Sequence, residues 1–544
     1  MANVFNSVLG NRVGRSVFDL SHEKRFTCDM GQLIPVTYIE CVPGDTIKLG
    51  MQAVTRFQPL IAPILDSVSL TVHYFFVPTR LLMDNKDDWQ TFITGGVDGT
   101  DESISLPLWQ FCNSSGLKVD TDSNPFSNGV RLGKYSLWDY FGLPLSPNKN
   151  FYELGVKANN VIGFPQRAYN LIWNEFYMDE NLCEKVSLNN SCVLYRSWKK
   201  DYFTSALPWQ QRGVAPALPL SGNVPLTLSG NYALFNPWIG VDSEDTGPIS
   251  INNAAGHALS APMNANGGQA GIIKGDGISA TGSVNLNDAA TFDIATLRQC
   301  MQIQCWMELN ARCGVRYTEF LKAHFGLSPR DEVLQRPQYI GGTKSNIVVS
   351  EVLQTSQTSD SSPQGNLAGH GLGASSDYIT TYHAKEFGYI VGIASWMPRA
   401  SYQQGFNRMF TRKTKFDFYF PEFAHLSEQA VYKGEIYATF SDDDKDVFGY
   451  QSAYNEMRSL PSFNCADMRD TYKYWHLGRI FTKVPSLNAG FLTTNPKFDG
   501  GIRKDIFAVQ NEPGLIVEFG NLVKAVRPLP AFGTPGFADH VGRM

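Results

Sequence analysis

The segment SVSLTVHYFFVP, at 67–78, sets Val68, Leu70, Val72, Tyr74 and Phe76 on one face of an extended chain. Alternation with period two is the signature of a β-strand. KFDFYFPEF repeats it, with Phe416, Phe418 and Phe420 against Asp417 and Tyr419. TIKLGMQAV, DYITTYHAKEFGYIVGIASW and YKGEIYATF read as further strands, separated by stretches rich in Pro, Gly, Asn and Ser. Strands and helices do not alternate regularly, which argues against a doubly wound α/β sheet, and no repeat of solenoid or propeller period is present. The expectation is a mainly β fold: a single antiparallel jelly-roll β-sandwich with long loop insertions and a few helices.

One helix is clear. TFDIATLRQCMQIQCWMELNARCG spaces Ile294, Leu297, Met301 and Cys305 along one helical face, and Gly314 supplies a left-handed stop. RYTEFLKAHFG predicts a second helix ended by Gly326. Between DYFTSALPWQQRG and the first helix the chain changes character. NAAGHALSAPMNANGGQAGIIKGDGISATGS, at 253–283, has no aromatic residue and only Lys274 and Asp276 as charges, in a chain that is 12% aromatic. A stretch of this length inside a compact domain is functional or forms a small subdomain, with disorder as the alternative. The predicted organisation is a first jelly-roll part with an N-terminal arm at 1–213, an insertion at 214–288, and the helix, remaining strands and an extended C-terminal tail at 289–544.

Charged residues make up 18% of the chain, below the usual quarter. Few charges and many aromatics fit a surface largely covered by partners; a β-rich fold with uncharged polar loops fits equally. A net charge of −5 excludes a chain that coats nucleic acid over its whole surface, so any such contact must be a local patch. MANVFNSVLGNRVGR lacks the apolar core of a signal peptide, and FGYIVGIASWM is strand-sized and broken by glycines, too short to span a bilayer. Nine cysteines, an odd count without tight spacing, predict free thiols in a reducing compartment.

Motifs that carry chemistry are scarce. GHGLGA formally matches a dinucleotide fingerprint, but no buried strand is expected before it and no helix after it, so a flexible loop is the expectation. SDDDKDVFG alternates Asp442, Asp444 and Asp446, yet Val447 and Ala453 stand where a calcium loop needs Gly and Glu; a solvated acidic turn is expected, and a structural divalent cation has no support. Cys300, Cys305 and Cys313 point in different directions around the long helix and do not converge on a metal. No metal-ligating histidine pair, Walker loop or nucleophile elbow is present, and no cofactor is expected. Two basic clusters stand out. NRMFTRKTKFDF interleaves Arg408, Arg412, Lys413 and Lys415 with Phe410 and Phe416, a mixture suited to single-stranded nucleic acid, although a basic loop flanking a core strand is the simpler reading. Arg12, Arg15, Lys24 and Arg25 form the second.

Taken in order, RSVFDLSHEKRFTCDMGQLIPVTYIECVPGDT, PLIAPILDSVSLTVHYFFVPTRLL, DYFTSALPWQQRG, RYTEFLKAHFGLSPRDEVLQRPQYIGG, SYQQGFNRMFTRKTKFDFYFPEFAHLSEQAVYKGEIY, WHLGRIF and RPLPAFGTPGFADH resemble the major capsid proteins of gokushoviruses, small single-stranded DNA phages of the microvirus group. The likeness covers most of the chain outside about 214–288. Cys41 stands where an aliphatic residue is more usual, and Gln338 replaces a frequent Glu. The resemblance implies a jelly roll assembled as a T=1 icosahedral shell around circular single-stranded DNA, in bacterial cytoplasm. It implies as partners further copies of the chain, the genome, a small basic internal DNA-binding protein, an internal scaffolding protein, a pilot protein and a host receptor. It also implies that the insertion rises as a protrusion at each threefold axis. There Gly256, Gly267, Gly268, Gly271, Gly275 and Gly277 let three copies approach closely without charge repulsion. The competing class, an extracellular β-sandwich lectin or glycan-degrading enzyme, explains the aromatics but predicts a secretion signal and paired cysteines.

Overall fold

The computed structural model describes residues 14–85, 87–110, 124–128, 133–145, 161–216, 223–229, 249–252, 258–261, 279–285, 294–313, 316–353, 367–423 and 426–531. The chain divides into two compact units, one of Met1–Arg212 with Glu308–Met544 and one of Gly213–Met307. The strands in chain order begin with β1 (Ser16–Asp19), β2 (His22–Cys28), β3 (Ile34–Cys41), β4 (Thr46–Phe57) and β5 (Val68–Pro78). The smaller unit holds β6 (Asn223–Ser229), β7 (Ile249–Asn252), β8 (Ala258–Ala261) and β9 (Ser279–Asn285). Then come β10 (Gln338–Leu353), β11 (Leu367–His383), β12 (Gly388–Pro398), β13 (Glu428–Tyr432), β14 (Val447–Ser452) and β15 (Leu515–Arg527). In the smaller unit β6 pairs with β9 and β7 with β8, both antiparallel.

The large unit is built on nine antiparallel strands in the order β1-β15-β4-β11-β10-β5-β12-β3, with β2 also on β15. One strand turns the corner between two sheets: β10 pairs with β5 over Gln338–Ile347 and with β11 over Val348–Leu353. The sheets then face each other across a common core. Fully buried Trp396 of β12 donates its indole N–H to Thr55 of β4 at 3.0 Å and meets the Phe26 ring of β2 edge-on at 6.0 Å. β15 shows why its sequence makes a half-buried strand: Leu515, Val517, Phe519, Val523 and Ala525 point inward, while Ile516, Glu518 and Lys524 point out. The one inward polar side chain, Asn521, is satisfied across the core by the Thr37 hydroxyl and the Val36 carbonyl. The fold is therefore the expected mainly β, antiparallel jelly-roll-like sandwich.

Three local expectations need correction. GHGLGA is not a loop but part of β11, between β10 and β4. Its glycines are there for room: a Cβ on Gly371 would lie 2.6 Å from the Phe57 ring and one on Gly373 2.8 Å from Ile347. KFDFYFPEF is not a strand. Lys415–Asp417 and Pro421–Phe423 are 3₁₀ turns, because the Asp417 carboxylate accepts the backbone N–H groups of Lys413 and Thr414 at 2.9 and 2.7 Å. Local side-chain bonds to the backbone have displaced the ladder that the alternation predicted. In YKGEIYATF the strand β13 ends at Tyr432, whose N–H binds the Glu435 carboxylate. Both expected helices form, at Ile294–Cys313 and Tyr317–Phe325, the second closed by left-handed Gly326 at φ +69°.

Candidate functional site

The basic, aromatic segment around Arg408 rests on two buried carboxylates. Glu435 accepts from the Tyr202 hydroxyl at 2.8 Å, the Tyr432 N–H at 3.0 Å and Arg408 Nη1 at 3.2 Å. Glu456 accepts from Gln429 at 2.9 Å and Arg412 at 3.4 Å, with Arg408 Nε 4.0 Å away. Burial pushes the Glu435 carboxyl above the usual range, opposed by the Tyr432 N–H and the Arg408 charge. The arginines also lie over rings, Arg408 over Tyr432 at 5.5 Å and Arg412 over Phe418 at 5.3 Å. Both guanidinium groups thus serve as internal counter-ions. Their partners lie 27 and 44 residues along the chain, so the local sequence gave no sign of them.

What this segment presents outward is different. Phe410 is 77% exposed, Lys413 and Lys415 are exposed, and the Lys415 ammonium sits 5.0 Å over the Phe416 ring. Arg408→Ala removes the cation paired with buried Glu435, and breaking a buried ion pair costs about 3–5 kcal/mol. We expect that variant to unfold at clearly lower urea concentration, whereas Lys413→Ala with Lys415→Ala should keep the wild-type midpoint. Equal midpoints for all three would contradict the counter-ion role.

The N-terminal cluster is dispersed by the fold. Arg12 lies outside the described residues, and Arg15 is exposed. Lys24 turns inward from β2 to the carbonyls of Pro35, at 2.6 Å, and Tyr140; burial lowers its pKa to about 8, against the pull of Asp139. Arg25 is exposed and ion-paired with Glu518 and Glu23, each at 2.7 Å. Among the described residues, no hydrogen bond or ion pair joins this cluster to the 408–415 segment. Gly256, Gly267, Gly268, Gly271, Gly275 and Gly277 all lie outside the described residues.

The acidic turn is engaged with its own surroundings. Asp442 pairs with Lys445 at 2.6 Å and Asp446 with Lys433 at 2.9 Å, while Asp444 accepts the N–H groups of Thr439 and Phe440. Among the described residues no cluster of His, Cys, Asp or Glu is arranged to hold a metal ion. No helix among them is long and apolar enough to cross a membrane. Eight of the cysteines are described and all eight are free thiols; Cys41 is fully buried, and burial raises its pKa to about 12. Thiol labelling under denaturing, non-reducing conditions should therefore modify all nine. A stoichiometric disulfide in the purified protein would contradict this.

Large side chains lie bare on the isolated chain, among them Phe325 at 66%, Phe463 at 74% and Phe440 at 85% exposure. Bare apolar side chains of this size offer area for contacts with partners. The comparison with known proteins gives the chain its family. The chain belongs to the capsid protein (F protein) family of phages, whose model matches residues 6–537. It is 32% identical to capsid protein VP1 of Chlamydia phage 1, covering 98% of each chain, and 32% identical to capsid protein VP1 of Bdellovibrio phage phiMH2K, covering 96% of this chain and 95% of that one. Capsid protein VP1 of Spiroplasma virus 4 is 28% identical over 98% of this chain and 97% of its own. The resemblance to gokushovirus capsid proteins therefore holds along nearly the whole chain. The role is structural, as a major capsid protein and virion component that assembles with copies of itself.

Proposed function

We propose that the chain forms a T=1 icosahedral shell that encloses a circular single-stranded DNA genome, and that the insertion at 214–288 rises at the threefold axes to meet the host. The observation that carries this reading is the end-to-end match to phage capsid proteins. Bare aromatic side chains supply apolar area for contacts between copies, and low overall charge limits repulsion among them. Among the described residues, Phe410, Lys413, Lys415 and Phe416, with Arg15, are the outward members of the two basic clusters available to phosphates and bases. Arg408, Arg412, Lys24 and Arg25 are already engaged within the chain. Shells assemble in the bacterial cytoplasm, with a scaffolding protein, a small basic internal protein and a pilot protein as partners and a host receptor as the outer target. No cofactor takes part.

The test is nuclease protection. Particles purified from infected cells should carry circular single-stranded DNA that resists added nuclease until the shell is disrupted. Shells of this chain that hold double-stranded DNA would overturn the reading.

A further inference from the structure

A second basic and aromatic constellation lies on the large unit, away from both clusters noted in the sequence. On the second sheet, Leu70, Val72 and Tyr74 of β5 face the core, so Thr71, His73 and Phe75 face away from it. Register sets Ser395 of β12 and Lys344 of β10 beside Thr71, and Tyr339 beside Phe75. The segment from Phe176 to Lys200 partly covers this face and leaves a cavity of about 450 Å³ lined by His73, Phe176, Tyr177, Arg196, Lys199 and Tyr339. That volume lies within the range of small-molecule sites.

The walls are aromatic and fixed in place. The Tyr177 hydroxyl meets His73 Nδ1 at 2.8 Å, and the two rings stack at 5.9 Å with 28° between planes. Phe176 packs on Phe75 at 4.8 Å, and Tyr339 stands edge-on to His73. Burial draws the His73 pKa down to about 4, aided by Arg196, so the imidazole is neutral at physiological pH. Gly342 opposite His73 keeps the strand bare of a side chain.

Cations line the cavity beside the rings. Arg196 is half-buried, bonds Ser395 Oγ at 2.9 Å and lies 5.8 Å over the Tyr177 ring. The Lys199 ammonium lies against that of Lys344, with Arg196 and Arg399 also near, and these like charges hold its pKa below the usual lysine value. Lys200 is neutralised by Asp179. Among the described residues no carboxylate forms an ion pair with Arg196, Lys199 or Lys344, whereas Arg399 shares the field of the Asp66 carboxylate. Like charges in contact are unfavourable unless an anion lies between them. A phosphate at the mouth and a planar base against the rings satisfy the cations and the aromatic walls together, as in single-strand-binding proteins. A carboxylate of a neighbouring protein would satisfy only the cations and leave the aromatic cavity without a role.

We propose that this cavity takes a nucleotide of single-stranded DNA, its phosphate on Lys199 and Lys344 and its base against Tyr177, His73 and Tyr339. The inference rests on the reading that the shell encloses such DNA. The test is binding of a fluorescent oligothymidylate, and of its abasic counterpart, to the full-length chain across a salt series. Lys199→Gln with Lys344→Gln should weaken binding by about tenfold or more and lower the salt slope by about 0.7, the share of one phosphate contact on a single strand. Tyr339→Leu should weaken oligothymidylate but not the abasic strand. Unfolding midpoints at the wild-type value identify variants that have kept the fold. Wild-type binding left unchanged by folded variants overturns the cavity and spares the DNA reading, whereas a wild-type chain that binds no single-stranded DNA overturns both. A lysine variant that binds DNA normally but no longer assembles shows that these cations face a neighbouring subunit, and that also overturns the proposal.

Discussion

Arg479→Ala should lower the stability of the subunit by about 4 kcal/mol or more, enough to deplete soluble, assembly-competent protein. Arg479 is 1% exposed and lies in WHLGRIF. Its guanidinium donates to the carbonyls of Gly500 at 2.9 Å and Phe491 at 2.5 Å and to the Tyr402 hydroxyl at 3.4 Å. Rings surround it, Phe491 at 4.2 Å, Phe481 at 5.1 Å and Trp198 at 5.3 Å. Truncation removes the donors and the cation from the rings and leaves a cavity, so three penalties add in one direction. Lysine does not rescue it, since a point charge cannot span acceptors set around a planar fork. Urea unfolding of the soluble subunit reads the change directly. A wild-type midpoint for the alanine variant would show that the guanidinium is dispensable.

Replacing Gly222–Asp288 with a short Gly/Ser linker should leave assembled shells and remove host adsorption. The strands of the large sheet come from Ser16–Pro78 and from Gln338 onward, on either side of this segment, so none is lost. Closure entropy changes by only about 0.6 kcal/mol per doubling of loop length. We expect the adsorption rate to fall by more than about tenfold, as when the main contacts of an interface are removed. Folded monomers that no longer assemble would show that the insertion holds the shell together. Normal adsorption by intact deleted particles would remove the host-contact role.

The sandwich was legible because burial writes itself into alternation, as in Thr46–Phe57, where Ile47, Leu49, Met51, Ala53 and Phe57 are buried and Lys48, Gln52 and Arg56 are exposed. The same signal misled at KFDFYFPEF, where Asp417 captures local N–H groups and the rings are left on the surface. At GHGLGA the glycines looked like loop formers, but they mark crowding against Phe57 and Ile347, which no local pattern reveals. The site was legible only in part. Arg408 and Arg412 read as free charges because Glu435 and Glu456 are remote in sequence. YRSWKK, at 195–200, places three cations among aromatics, a signal that sequence reading can find; Lys344 and Arg399 join it only through the sheet.

Copies of this chain should build a T=1 shell. Cryo-electron microscopy of particles purified from infected cells tests it most directly. The expected image is a closed icosahedral shell with this chain, in its sandwich fold, at every equivalent position of a T=1 lattice. A shell of another triangulation number, or one in which this chain is absent from the shell layer, would contradict it.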